Sequence, residues 1–139
     1  MVLADQLPRI ECQVTFHNDL EGWPQSWPKR LSGCVYRPHI VVGDPTQRSA
    51  ILTSKVVDAE YSDGTPFQYV TDKFIDELYC GVVFEKGPEN PELGKSLRVS
   101  LIPMFWPDET RPKLEGGTTF TIREGATVVG FGIVLQWIS

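Results

Sequence analysis

The chain has 139 residues, with 13 lysine or arginine residues against 18 aspartate or glutamate residues, so its formal net charge is −5. A chain of this length fits one domain and can bury a sizeable core without disulfides or metals. The acidic balance would repel a nucleic-acid backbone unless the basic residues were segregated, which disfavours nucleic acid as the main partner. We therefore predict one domain over residues 1–139.

The cysteines and the N-terminal residues indicate the cellular compartment of the protein. Cys12, Cys34 and Cys80 are odd in number and widely spaced, so neither a disulfide framework nor a zinc site is indicated. Three buried free thiols in a reducing compartment are expected. The short apolar stretch before Asp5 is too brief for a signal peptide, and no apolar run approaches the length of a membrane span. We predict a cytoplasmic protein with no membrane segment.

Strand patterns begin near the start of the chain. Residues 10–16 alternate strictly between apolar and polar side chains, which is typical of a half-buried strand. A long loop follows, because Pro24 and Pro28 lack the amide hydrogen that a strand ladder needs. Residues 33–43 predict a second strand, in which Pro38 indicates an edge position, a bulge or a strand end.

The middle of the chain predicts one more strand and the only plausible helix. Residues 51–61 are rich in β-branched side chains and lead to the turn residues Asp63 and Gly64. Residues 70–79 predict a short helix, because three apolar side chains would share one helical face: Phe74, Ile75 and Leu78.

The remainder of the chain returns to strand composition. Residues 80–87 and 97–105 predict two strands, and residues 118–125 and 127–137 predict a final hairpin with its turn at Gly125. Strands at turn-punctuated spacing, with little helix, indicate an antiparallel barrel or sandwich. We predict an all-β protein, namely a small antiparallel β-barrel of six or seven strands with at most one short helix.

Two glycines interrupt the last strand. Gly130 and Gly132 are two residues apart, so both positions lie on the same face. Glycine weakens a strand, and proteins accept this where another backbone or a bulky ring comes close, or where a closing sheet must bend. We therefore assign structural roles to Gly125, Gly130 and Gly132.

The final hairpin and the second strand carry motifs that resemble those of a known protein family. The final hairpin reads Phe120-x-Ile122-Arg123-Glu124-Gly125, then Val129-Gly130-x-Gly132-x-Val134, and the second strand carries Gly33 and Tyr36-Arg37-Pro38. These stretches resemble the C-terminal β-barrel of bacterial elongation factor Tu, over roughly residues 10–44 and 97–139. The middle of the chain is expanded relative to that domain.

The resemblance implies a binding module without the GTPase domain, which is a separate domain of that family. The family's barrel contacts aminoacyl-tRNA, an exchange factor and its own GTPase domain. Its tRNA surface uses basic residues in the first loop and a glycine-arginine step after Arg-Glu-Gly, where this chain has Ala126 and Thr127. The resemblance therefore favours a protein partner over tRNA.

Residues 87–96 end in Gly-Lys-Ser like a phosphate-binding loop. Six residues separate the two glycines instead of four, and Glu89 stands where the first glycine belongs. Pro88 and Pro91 lack the amide donors that cradle phosphate, and a strand follows in place of a helix. We predict no nucleotide, no cofactor and no metal, and expect a hairpin turn at Gly94.

The loop after the first strand is the most unusual stretch. Trp23-Pro24 and Trp27-Pro28 precede Lys29 and Arg30. Such a loop makes a rigid amphipathic contact surface, because tryptophan buries much area with few torsions. Alternatively, both rings fold back as a plug over one end of the barrel. Trp106 is a candidate third aromatic residue at the same rim.

Catalysis has few candidates in this sequence. His17 and His39 are the only histidines, and nothing in their spacing pairs either with a nucleophile. Acidic pairs such as Asp76-Glu77 fit a solvated surface that keeps the protein soluble. We therefore predict that the protein is not an enzyme.

Two functions remain open. The first is a protein-interaction module that engages a basic partner, either by neutralising a basic toxin or by regulating a translation component. The second is an RNA-binding module in translation, with Trp23 or Trp27 as stacking platforms. Its phosphate contacts would be four basic residues: Lys29, Arg30, Arg37 and Arg123.

Overall fold

The computed structural model describes residues 8–21, 30–71, 74–75, 77–104 and 114–138, and these ranges contain ten strands and no helix. The strands are β1 (Arg9–Phe16), β2 (His39–Val42), β3 (Leu52–Thr53), β4 (Val56–Glu60), β5 (Pro66–Val70), β6 (Phe74–Ile75), β7 (Cys80–Lys86), β8 (Leu97–Pro103), β9 (Thr119–Glu124) and β10 (Thr127–Ile138). Over the described ranges, no helix has the length and apolar character needed to cross a membrane.

Six strands close into an antiparallel barrel in the order β1, β10, β9, β2, β7 and β8, with β8 pairing back onto β1. The predicted small antiparallel barrel is thereby confirmed, with six strands. Alternation along each strand turns one set of side chains inward. The interior is filled mainly by apolar side chains, among them Ile10, Cys12, Val14, Phe16, Ile40, Val82, Phe84, Val99, Leu101, Phe120 and Ile122.

The close approach expected at the two glycines of β10 is present. A Cβ added at Gly130 would lie 2.5 Å from the backbone oxygen of Thr15 on β1. A Cβ added at Gly132 would lie 2.6 Å from Cζ of Phe120 and 2.8 Å from the backbone oxygen of Gln13. The missing side chains therefore let β10 pass close to β1 and let the Phe120 ring fill the barrel interior.

The β9–β10 hairpin has the predicted turn, with one local difference in the strand that follows. Gly125 has a φ of 60°, as the first central position of a type II′ turn requires. The register of β10 against β9 shifts between Val128 and Gly130. A bulge therefore interrupts the alternation of side chains in this strand, and both Val128 and Val129 are buried.

The described residues between β2 and β7, namely 43–71, 74–75 and 77–79, form an insertion outside the barrel. It contains two small antiparallel sheets, one from β3 and β6 and one from β4 and β5. The strand predicted over residues 51–61 is thus two strands in different sheets. The strand predicted over residues 33–43 is also shorter than expected, because Pro38 limits it to β2.

The short helix predicted over residues 70–79 is wrong. Phe74 and Ile75 form β6, which pairs with Leu52 and Thr53 of β3. A ten-residue helix is marginal in water without tertiary support. Strand pairing with β3 provides the backbone hydrogen bonds at these residues instead, and the apolar spacing alone did not distinguish the two structures.

Candidate binding surfaces

A buried ion pair joins the insertion to the barrel. Arg123 of β9 is fully buried, and its two terminal nitrogens each donate to one carboxylate oxygen of Glu77 at 2.9 Å. Its Nε donates to Oγ1 of Thr121 at 2.9 Å, and its Nη1 also donates to the hydroxyl of Tyr79 at 3.2 Å. The guanidinium that the sequence assigned to a binding surface is therefore held inside the protein.

Glu77 ties together several segments of the insertion. Its side chain is only 6% exposed, and its carboxylate also accepts from the Ile51 amide at 2.8 Å and from Nε2 of Gln47 at 3.0 Å. Hydrogen bonds from Arg123 lower the pKa of Glu77 from 4.5 to about 2, against the opposing effect of burial. The expectation that Asp76-Glu77 belongs to a solvated acidic surface is wrong for Glu77, because its buried carboxylate holds the insertion on the barrel through Arg123.

The contribution of Glu77 to stability should depend on pH. Because its pKa in the folded protein lies below 4.5, the carboxylate stabilises the fold above that pH, and this stabilisation is lost as the pH falls through about 2. We expect an advantage of about 3 kcal/mol over Glu77→Gln at neutral pH, shrinking towards zero at low pH. Urea unfolding of both proteins at a series of pH values measures it. If the difference in free energy of unfolding between the two proteins stayed constant from neutral pH down to about pH 2, the lowered pKa of Glu77 would be contradicted.

A groove brings three of the predicted site residues together. Its volume is about 400 Å³, and its lining includes Arg37, Arg123 and Gly125. Inside the groove, the buried hydroxyl of Tyr36 donates to Oε2 of Glu124 at 2.6 Å. Burial and this carboxylate raise the pKa of Tyr36, so the phenol stays protonated and holds the carboxylate as an acceptor.

Of the six predicted contact residues other than Arg123, two are exposed and four lie outside the described residues. Arg30 and Arg37 are exposed, and Nε of Arg37 donates to the carbonyl oxygen of Cys34 at 3.2 Å. Four further residues assigned to the binding surface lie outside the described residues: Trp23, Trp27, Lys29 and Trp106.

The three cysteines are free thiols, as expected, but only two of them are buried. Cys12 and Cys80 lie inside the barrel, and burial raises the pKa of Cys12 to about 12. Cys34 is half-exposed, because it lies in a turn with a φ of 61° instead of in the predicted strand. The described residues contain no group of three or more metal-binding side chains placed to share an ion.

Strands β4 and β5 form a two-stranded ribbon, here called the ribbon, joined by the predicted turn at Asp63-Gly64. One face carries an aromatic row in which the ring of Phe67 lies 4.4 Å from that of Tyr61 and 6.0 Å from that of Tyr69. The opposite face carries the carboxylates of Asp58 and Glu60 beside the exposed side chains of Val56 and Val70. The ribbon thus has an aromatic face and an acidic face.

The large apolar side chains that are exposed are concentrated on the insertion. Eleven such side chains are exposed in the described ranges, and seven of them lie between residues 51 and 78. The seven are Ile51, Leu52, Val56, Tyr61, Tyr69, Val70 and Leu78. The sequence pattern does not indicate this exposure, because residues 51–61 predict a single half-buried strand and residues 70–79 predict a helix with Leu78 on its apolar face.

Comparison of the chain with protein-family models, with curated proteins and with solved structures finds no match. The resemblance to the barrel of elongation factor Tu therefore stays a prediction from the quoted motifs.

Proposed function

We propose that this protein is a non-enzymatic binding module whose partner is another protein, and that the insertion carries the contact surface. The observation that carries the proposal is the concentration of exposed apolar side chains between Ile51 and Leu78. Clustered apolar side chains on a surface mark contact sites more often than scattered ones do. The barrel provides a rigid base, and the Arg123–Glu77 pair holds the insertion on it.

The charge of the chain favours a basic partner. With a net charge of −5, the protein attracts cationic surfaces, which speeds encounter, while apolar contacts provide most of the affinity. Neutralising a basic toxin and regulating a basic translation component are both functions that such a module performs. Support for RNA binding is weaker, because Arg123 is committed to Glu77 and only Arg30 and Arg37 of the four predicted phosphate contacts are exposed in the described residues.

The experiment is affinity capture from an extract of the native host with the full chain as bait. The test variant is Val56→Thr with Val70→Thr, which replaces two exposed methyl groups by hydroxyls on paired positions of the ribbon. We expect recovery of the specific partner to fall roughly tenfold, the equivalent of about 1.4 kcal/mol of lost apolar contact. The control, Val35→Thr with Ile133→Thr, replaces one exposed valine and one exposed isoleucine by threonine outside the insertion and should retain the partner.

Two results would contradict the proposed function. One is capture of no protein by the wild-type bait. The other is a tRNA mobility shift at low salt whose salt dependence flattens in the Lys29→Ala, Arg30→Ala double variant, since this outcome indicates phosphate contacts and the RNA-binding alternative.

A further inference from the structure

We propose that the outer edge of β4 accepts an antiparallel strand from the partner protein, and that residues in this strand alternate between basic and apolar. The inference rests on the proposed function and specifies how the partner binds. A two-stranded ribbon is marginally stable by itself in water, and a third strand provides the missing hydrogen bonds and apolar contacts. Within the described residues, β4 and β5 pair only with each other.

The hydrogen bonds of the ribbon identify which backbone groups are free for such a strand. The Thr71 amide donates to the Lys55 carbonyl oxygen at 2.9 Å, and the Tyr61 amide donates to the Thr65 carbonyl oxygen at 2.9 Å. Hydrogen-bonded pairs alternate along an antiparallel ladder, so positions 57 and 59 face β5. The amide and carbonyl groups of three residues of β4 consequently point outward: Val56, Asp58 and Glu60.

The opposite edge of the ribbon is less suited to strand addition. By the same alternation, the outward positions of β5 are Pro66, Gln68 and Val70. Proline has no amide hydrogen, and a proline on an edge strand blocks strand addition. The continuous set of outward donors and acceptors in the ribbon therefore lies on β4.

The side chains of the two faces define the chemistry of the added strand. Asp58 and Glu60 are two residues apart on one face, so the residues opposite them in the added strand lie on that face, where basic side chains complete two ion pairs. The intervening residue lies on the aromatic face, next to Ala59 and close to the row that contains Phe67. Alternating lysine or arginine with apolar residues satisfies both faces.

Charge argues against a second copy of this chain at the same edge. Residues 55–71 contain one lysine and three acidic residues, Asp58, Glu60 and Asp63, for a net charge of −2. If β4 paired with β4 of another copy around a two-fold axis at Asp58, the two Asp58 carboxylates would be directly opposite. Like charges at opposite positions destabilise a strand pair. A cationic partner segment is therefore the occupant that fits.

The probe is a peptide of about nine residues in which lysine and valine alternate, added to the 139-residue chain at low salt. We expect binding with slower amide hydrogen exchange at Val56, Asp58 and Glu60, and unchanged exchange at Gln68 and Val70 on the other edge. A peptide of the same composition, with the lysines and valines in two separate blocks, should bind at least about tenfold more weakly, because it cannot present its charges to one face. Equal binding of the two peptides, protection elsewhere or no binding would overturn the inference.

N-methylated peptides separate strand addition from simple charge attraction without changing the protein. In the proposed arrangement the lysine amides face β4 and donate to its carbonyl groups, while the valine amides point away. Methylation of the lysine amide nitrogens should therefore weaken binding about tenfold or more, and methylation of the valine amide nitrogens should change it less than about twofold. Equal effects of the two methylation patterns would overturn the inference.

A pair of charge-reversal variants tests the acidic face. Asp58→Lys with Glu60→Lys should weaken the alternating peptide about tenfold, whereas Glu89→Lys with Glu92→Lys changes the net charge equally on an exposed loop and should have a much smaller effect. Equal losses would overturn the inference. These peptide tests are independent of the capture experiment. If a partner protein is captured but the peptide tests fail, strand addition at β4 is refuted and the proposed function stands.

Discussion

Replacing Glu77 by alanine is expected to lower the free energy of unfolding by about 3–5 kcal/mol, because the change leaves a buried guanidinium without its carboxylate. The Arg123 side chain has no exposed surface through which water could replace the lost partner. The Ile51 amide and the Gln47 side chain lose an acceptor at the same time. Urea unfolding at neutral pH measures the loss, and amide hydrogen exchange at Ile51 reports release of the insertion.

Two further variants show whether the loss comes from the buried charge. Glu92→Ala removes an exposed carboxylate and should change the free energy of unfolding by less than about 0.5 kcal/mol. Glu77→Leu combined with Arg123→Met removes both charges and should be more stable than Glu77→Ala, because no unpaired charge stays buried. A loss below about 1 kcal/mol in Glu77→Ala would contradict the anchoring role of the pair.

The barrel could be predicted because its strands bury apolar side chains, with the most regular alternation in β1. In β1 the four residues Ile10, Cys12, Val14 and Phe16 are all buried. The period-two pattern of this stretch therefore shows which side chains point into the barrel and which point outward. The turn at Gly125 was also predictable, because a two-residue hairpin turn of this type needs a glycine at its first central position. Local geometry and burial were sufficient for these elements.

The insertion was harder to predict because its strands are short and largely exposed. Val56 is 61% exposed and Val70 is 65% exposed, so neither records a buried face. Without a buried face, a run of β-branched residues shows strand preference but not where one strand ends and another begins. Pairing between β3 and β6, far apart in the chain, determined the structure of the segment that resembles a helix.

The Arg123–Glu77 pair could not be found from the sequence. The two residues are 46 positions apart and lie in different parts of the fold, so no spacing rule connects them. Arginine and glutamate are usually exposed, and a fully buried arginine leaves no periodic trace. The resemblance that includes Arg123 indicates a functional residue at that position, but only the folded structure shows that its partner belongs to the insertion.

Replacing Gly132 by alanine is expected to cost about 1–3 kcal/mol, because the new methyl group would overlap the Phe120 ring and approach the backbone oxygen of Gln13. The ring is the nearest obstacle, with its Cζ atom 2.6 Å from the added Cβ. Shortening the ring residue by Phe120→Leu should therefore reduce the cost of Gly132→Ala by about 1 kcal/mol, a coupling typical of side chains in contact. Urea unfolding of the four proteins in this cycle measures the coupling.

Gly130 offers a comparison within the same strand, because the obstacle there is backbone. Its added Cβ would lie 2.5 Å from the Thr15 oxygen, so Gly130→Ala should cost the same whether residue 120 is phenylalanine or leucine. Gly81→Ala in β7 is the neutral control, since its added Cβ meets no atom closer than 3.9 Å. If Phe120→Leu reduced the stability cost of Gly130→Ala as much as that of Gly132→Ala, the effect would come from a general loosening of the core. Relief confined to Gly132 would identify the ring as the group whose place in the barrel depends on that glycine.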